Sequence, residues 1–216
     1  MSDGTGHEGA DGGGSPAVPV TGVAQAGRGR VGVLAGLTTR AGRPYLCGPA
    51  LTCACAPEDN LAMHAALYRA RPGTVLVCDG TGTTRCALFG ELMATDAVGQ
   101  RLAGLVLAGP VRDIADIDEL GFPVWCTGTA PAQAAKAAVV SVGLPVVIGG
   151  VLVASGDQIV ADRDGVVAVP AAQWPAIQAE VAAIAAREAR TRARLVAGER
   201  LADINGLDLS RFLPQD

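Results

Sequence analysis

Three short apolar runs, separated by two segments of helix length, constrain this chain more than any other feature. Residues 74–79 (TVLVCD), 104–108 (GLVLA) and 123–126 (PVWC) have the composition of strands buried on both faces. Between them, residues 91–102 and 114–120 read as helices, and Gly121 suits the end of the second one. Strand, helix, strand, helix, strand with short links implies parallel neighbours joined by right-handed crossovers.

Around that unit the pattern changes. Residues 1 to about 18 are rich in glycine with little to bury, which predicts a flexible tail ahead of a single domain over 19–216. Residues 20–42 are weakly patterned and read as loops with a short strand. Residues 46–55 read as a strand interrupted at Gly48-Pro49. Asp59 or Asn60 can cap a helix through Leu61, His64, Ala65 and Leu67 that ends before Arg71-Pro72-Gly73. Later, Gly149-Gly150 joins two short apolar runs as a hairpin, and Asp162-Arg163-Asp164-Gly165 joins two more. A long helix over 171–197 has Pro175 near its start and Gly198 as its stop. Its second half carries Arg187, Glu188, Arg190, Arg192 and Arg194, so it lies on the surface or against a neighbouring subunit. The expected class is α/β, mixed, with antiparallel pieces late in the chain.

Composition removes several function classes. With 216 residues, half of them hydrophobic and 18% charged, the chain can bury a sizeable core. A net charge of −4 argues against nucleic acid or an anionic membrane as the main partner. No apolar run reaches the roughly 18 residues of a membrane span, and the acidic, glycine-rich start does not read as a secretory signal. A soluble, cytoplasmic protein is expected. Lysine occurs once, as Lys136 in the Ala-rich 134–138 stretch, so a Schiff-base enzyme would depend on that residue. No GxxxxGK[ST] phosphate loop and no GxSxG elbow is present, and a Ser-His-Asp triad could use only His64, because His7 lies in the tail. Cys53-Ala54-Cys55 lacks the second pair a zinc site needs, which leaves the six cysteines as reduced thiols.

Ligands of parallel α/β units bind beyond the carboxyl ends of the strands. Two such ends are adjacent here, followed by residues 79–90 and 109–113. Gly90-Glu91-Leu92-Met93 opens a helix whose free N–H groups and dipole can hold a carboxylate or phosphate. Arg112 adds a permanently charged fork for a carboxylate or a developing oxyanion. Asp113 is a hard oxygen ligand for a divalent metal, with Asp116 close to one turn later. The same residues also suit a solvated ion pair and ordinary helix capping, and spacing alone does not choose between the readings. Gly80-Thr81-Gly82 is a poor dinucleotide loop, since Arg85 stands where the third glycine belongs. His64, among Ala and Leu, fits a core or interface position better than a catalytic one.

At these residues the chain resembles the RraA-like family. That family includes 4-hydroxy-4-methyl-2-oxoglutarate/4-carboxy-4-hydroxy-2-oxoadipate aldolases and a regulator that inhibits a ribonuclease. The resemblance runs from about Gly48 to Gly198. It rests on the blocks Cys47-Gly48-Pro49-Ala50, Asp59-Asn60 with His64, PGTVLV at 72–77, GELMA at 90–94, GPVRD at 109–113 and DRDGV at 162–166. The family's aldolase signature is an acid, twenty residues, Arg-Asp, two residues and a further acid. Glu91, Arg112, Asp113 and Asp116 keep that spacing.

The resemblance implies a swivelling β/β/α-type α/β fold, a trimer or hexamer, and a site holding Mg²⁺ or Mn²⁺. Carried over, Asp113 binds the metal, with Asp116 behind it, and Arg112 contacts the pyruvyl group. Gly90, Glu91, Leu92 and Met93 supply backbone donors, and Glu91 orients or deprotonates a water. Glu188 on the last helix is the candidate for a glutamate reaching the next subunit's site, with Glu180 as its rival. Two functions follow. One is a metal-dependent aldolase of 4-hydroxy-2-oxo acids with oxaloacetate decarboxylase side activity. The other is a non-catalytic regulator built on the same body.

Overall fold

The computed structural model describes residues 18–212, so the expected N-terminal tail, Val18 apart, lies outside the described residues. The chain begins with α1 (Val20–Ala26), β1 (Gly32–Val33), β2 (Thr38–Ala41), β3 (Leu46–Ala54) and α2 (Leu61–Arg69). The alternating unit follows as β4 (Val75–Asp79), β5 (Cys86–Ala87), α3 (Glu91–Gly99), β6 (Gly104–Val111), α4 (Ile114–Leu120) and β7 (Val124–Thr129). Short strands β8 (Ala132–Gln133) and β9 (Ser141–Val142) lead to β10 (Val146–Ile148), β11 (Val151–Val153), β12 (Gln158–Asp162) and β13 (Gly165–Val169). The described chain closes with α5 (Trp174–Val196), α6 (Leu201–Ile204) and a short 3-10 turn.

One sheet organises the molecule in the order β1-β13-β12-β3-β4-β6-β7-β2. Its centre, β3-β4-β6-β7, is parallel throughout, as the alternating unit requires. Antiparallel strands extend it on both sides, with β12, β13 and β1 at one edge and β2 at the other.

Period-two alternation on these strands builds two faces. Leu76 and Cys78 of β4, Leu105 and Leu107 of β6, and Val124 and Cys126 of β7 meet Met63, Ala94 and Ile117 from α2, α3 and α4. On the other face Val77, Val106 and Trp125 meet Ile148 and Val153 of the β10–β11 hairpin. Where β12 and β13 pass beyond the three central helices, Val160, Val167 and Val169 are covered by α1 and α5.

Both expected hairpins form. Gly149 and Gly150 turn the first at positive φ, and the second pairs Asp162 with Gly165. Helix α4 ends at Gly121 in the left-handed conformation, as read from the sequence. The long helix starts at Trp174 after a 3-10 turn and buries Ile177, Val181 and Ile184, so among the described residues the half from Arg187 onward has no buried side chain.

Three expectations need correction. Residues 20–42 are not mainly loop, because α1 packs Val20, Val23 and Ala26 into the layer under α5. A seven-residue helix is too short to be stable alone, so its pattern is weak and packing forms it. Gly48-Pro49 does not interrupt β3. There Gly48 is needed because a side chain would collide with the Gly73 carbonyl, and Ala50 N–H reaches the Asp157 carbonyl at 2.8 Å. Helix α3 stops at Gly99, three residues before the expected end, with Arg101 in the left-handed region.

All six cysteines are free thiols. Cys55 Sγ lies 3.5 Å from Cys78 Sγ, and contact with Cys53 and Cys55 together with burial raises the Cys78 thiol well above its usual range. Burial, helped by Glu58, pushes Cys86 up to about 11.

Candidate active site

The parallel arrangement aligns the carboxyl ends of β3, β4, β6 and β7, and a cleft of about 120 Å³ opens beyond them. Arg112 and Asp113 are the first residues past the end of β6. Gly90 reaches them because residues 86–90 run beside that end. Leu88 N–H donates to the Pro110 carbonyl at 2.9 Å, and Arg112 N–H donates to the Phe89 carbonyl at 3.0 Å.

Asp113 sits at φ 58°, ψ 42°, a conformation that non-glycine residues rarely adopt and that collects at functional sites. The turn aims its carboxylate at the start of α3, where Oδ2 accepts the Glu91 N–H at 3.2 Å and faces Arg112 Nε at 3.3 Å. Both side chains remain about one-third exposed, so the pair faces the cleft opening. Gly90 is extended, and its role is space: a Cβ there would stand 2.6 Å from Asp113 Oδ2 and 3.1 Å from Arg112 Cγ and Nε.

Of the residues singled out by sequence, Gly90, Leu92, Met93, Arg112 and Asp113 line this cleft together. The Met93 N–H is taken by the Gly90 carbonyl at 3.1 Å. Glu91 contributes its amide to Asp113, while its Oε1 accepts the Thr95 hydroxyl at 2.7 Å. The Glu91 side chain borders a separate depression shared with Asp116, Glu119 and Leu120. Neither Glu188 nor Glu180 lines the cleft. Glu180 pairs with Arg30 at 2.7 Å, and Glu188 is exposed on the half of α5 that has no buried side chain among the described residues.

Four further polar residues line the same cleft that sequence reading did not assign to it: Asn60, His64, Gln133 and Lys136. Asn60 and His64 stand four apart at the start of α2 and so share a helix face, which was the available signal. Asn60 Nδ2 donates to the Leu88 carbonyl at 2.9 Å, leaving Oδ1 buried without a partner among the described residues. His64 Nε2 is likewise buried and unpaired among them. Burial lowers the His64 pKa, and the positive charge of Lys136 lowers it further, which favours the neutral imidazole.

Lys136 is carried in by a segment with no pattern of its own. Asp59 Oδ1 accepts the Leu61 N–H at 2.9 Å, while its Oδ2 accepts the N–H groups of Ala137 at 2.6 Å and Ala138 at 3.2 Å. These amides, Leu61's foremost, hold the Asp59 carboxyl below its usual range.

Among the described residues no three His, Cys, Asp or Glu side chains gather to hold a metal. One carboxylate beside an open cleft does fit Mg²⁺, which keeps several waters and takes one or two carboxylates plus substrate oxygens. It does not fit a structural zinc site.

Fold and cleft together define an α/β protein with cationic, carboxylate and helix-terminus groups converging at the carboxyl edge of a parallel sheet. The RraA-like family model, described as Aldolase/RraA, matches residues 20–168, and the chain belongs to that family. A Halalkalibacterium halodurans protein named "Putative 4-hydroxy-4-methyl-2-oxoglutarate aldolase" is 36% identical over 126 residues, 58% of this chain and 60% of that protein. The match therefore spans less than two thirds of that relative's length. A Pseudomonas syringae pv. tomato protein of the same name is 34% identical over 134 residues, 62% of this chain and 82% of that protein. The crystal structure of an unusual member of the RNase ES inhibitor RraA protein family from Streptomyces coelicolor aligns with a TM-score of 0.69 at 31% identity. It covers 81% of this chain and 90% of that one. No described helix is long and apolar enough to cross a membrane.

Proposed function

We propose that this chain is a divalent-metal-dependent aldolase. It cleaves 4-hydroxy-2-oxo dicarboxylic or tricarboxylic acids to pyruvate and an oxo acid, and decarboxylates oxaloacetate at the same site. The observation that carries this reading is the Arg112–Asp113 pair held against the start of α3 in one cleft. The names of the two bacterial relatives support it.

In the cleavage, the C4 hydroxyl loses its proton and the C3–C4 bond breaks. Its electron pair moves to the C2 oxygen, giving pyruvate enolate and a new C4 carbonyl. Protonation at C3 then releases pyruvate. Mg²⁺ or Mn²⁺ held by Asp113 would supply Lewis-acid stabilisation of the pyruvyl oxygens. Arg112, braced at Nε by Asp113, turns its remaining N–H groups toward the C1 carboxylate and the developing C2 oxyanion. Leu92 and Met93 form the wall at the helix end, whose dipole favours the same negative charge. Glu91, and Glu188 brought by a neighbouring copy in a trimer or hexamer, are the proton-handling candidates.

Gly90→Ala tests the geometry. The added methyl meets the partly exposed tip of the Asp113 side chain, which can shift at the expense of its bonds to Glu91 and Arg112, so stability should stay within about 1 kcal/mol. Displacing a carboxylate by about 1 Å can cost roughly a hundredfold in rate, and kcat is expected to fall accordingly.

The reading as a whole is tested by pyruvate release from oxaloacetate and 4-hydroxy-4-methyl-2-oxoglutarate with Mg²⁺ or Mn²⁺, then with chelator. Turnover that stops with chelator and returns with metal is expected. Chelator-resistant turnover, with borohydride trapping substrate on Lys136, would replace metal chemistry by a Schiff base. A second reading, a non-catalytic binding protein of the ribonuclease-inhibitor kind, rests on the Streptomyces coelicolor structure. It would gain if the folded, metal-loaded protein turned over neither acid.

A further inference from the structure

Two unlike groups of polar residues line the cleft. One carries Arg112 and Asp113, both ionic and partly exposed. The other carries Asn60 Oδ1 and His64 Nε2, which are buried and without partners among the described residues, with Lys136 lining the same cleft. Buried polar atoms are rarely left unpaired, because each then forfeits its hydration, and here two of them belong to residues that line one cleft.

Asn60 is only 6% exposed, and its Nδ2 donates to the Leu88 carbonyl at 2.9 Å and to the Met93 sulfur at 3.6 Å. What it offers the cleft is therefore an acceptor alone. A carboxylate has no proton to give Oδ1, and the Lys136 ammonium on the same cleft wall would draw it away from the amide oxygen. A hydroxyl suits the pair, since it can donate to Asn60 Oδ1 while exchanging a hydrogen bond with His64 Nε2.

We propose that Asn60 and His64 form a hydroxyl-binding pole, so that the cleft selects acids bearing a hydroxyl besides the groups held by Arg112 and Asp113. This rests on the small-acid reading above and deepens it: the C4 hydroxyl of a 4-hydroxy-2-oxo acid is the group the pole would hold. It makes His64 and Asn60 specificity-determining residues, and it separates two substrates of one site. Oxaloacetate has no C4 hydroxyl and gains nothing from the pole.

The experiment uses a pair of ligands that cannot undergo aldol cleavage because they lack the C2 carbonyl: 2,4-dihydroxyglutarate and 2-hydroxyglutarate. They differ only in the C4 hydroxyl. Binding of each, with Mg²⁺ present, is measured calorimetrically to the wild-type protein, His64→Phe and His64→Gln. The phenyl ring keeps the volume and removes Nε2, whereas the glutamine amide restores a polar group near that place. Wild type should bind the dihydroxy acid about tenfold more tightly, an ordinary gain for one well-placed hydrogen bond. His64→Phe should erase the preference with little change for 2-hydroxyglutarate, and His64→Gln should restore most of it.

Equal binding of both acids by wild type would overturn the proposal, as would a preference that survives in His64→Phe or binding of neither acid. In the first two cases an ordered water, not a substrate hydroxyl, satisfies the two atoms. Because no step here requires turnover, the result is independent of the pyruvate-release assay. A protein with no aldolase activity can still show the preference, and an active aldolase can lack it.

Discussion

Arg112→Ala is expected to lower kcat for pyruvate release by about a hundred- to a thousandfold, the usual loss when one oxyanion donor is removed. KM should change less, since the donor acts most strongly on charge that develops as the C3–C4 bond breaks. Arg112→Lys should recover only part of the rate, because an ammonium keeps the charge but not the fork that Asp113 braces at 3.3 Å. The guanidinium is partly exposed and no core residue depends on it, so stability should move by no more than about 0.5 kcal/mol. Steady-state rates beside a thermal melt check both halves. A rate within threefold of wild type from a correctly folded Arg112→Ala protein would falsify the assignment of this cleft.

The largest stability effect is expected at Trp125. It is 1% exposed in the layer between the central sheet and the β10–β11 hairpin. Its indole N–H donates to the Asp162 carbonyl at 3.1 Å, tying β7 to the turn between β12 and β13. That turn is itself organised by Asp162, whose Oδ1 accepts the Asp164 N–H and whose Oδ2 accepts the Val20 N–H at the start of α1. Trp125→Ala should cost about 3–5 kcal/mol from lost burial and the cavity left behind. For a chain of this size that is a fall of roughly 6–20 °C in Tm. Trp125→Phe keeps most of the apolar contact but orphans the Asp162 carbonyl, and should cost about 1–3 kcal/mol. Denaturant and thermal unfolding of the two variants separate the packing contribution from the hydrogen bond.

Much of the architecture could be read from the chain because its signals are local. The strand segments 75–78, 104–108 and 124–126 carry apolar runs, since both sheet faces are covered there. The Gly149-Gly150 and Asp162–Gly165 turns announced themselves through residues that tolerate the required backbone. Arg112, Asp113 and Gly90 were legible for a related reason: parallel strands deliver their following loops to one edge, so strand ends predict proximity.

What lacked a local signal lacked a local cause. Helix α1 exists because α5, β12 and β13 offer an apolar seat for Val20, Val23 and Ala26, and nothing within seven residues encodes that seat. Gly48-Pro49 looked like a break, yet β3 runs through it because the Gly73 carbonyl approaches too closely for any side chain at 48. Lys136 and His64 read as bland residues among alanines. Only the pinning of residues 135–138 by Asp59, Asn60 and Glu58 brings the lysine to the cleft. Strand and helix periodicities, glycine turns and strand-end loops are short-range properties, so the sequence alone determined the α/β body and the ionic pair of the cleft. The other polar group joins α2 to the segment after β8 across more than seventy residues, and long-range packing alone could decide that Asn60, His64 and Lys136 line one cleft with Arg112 and Asp113.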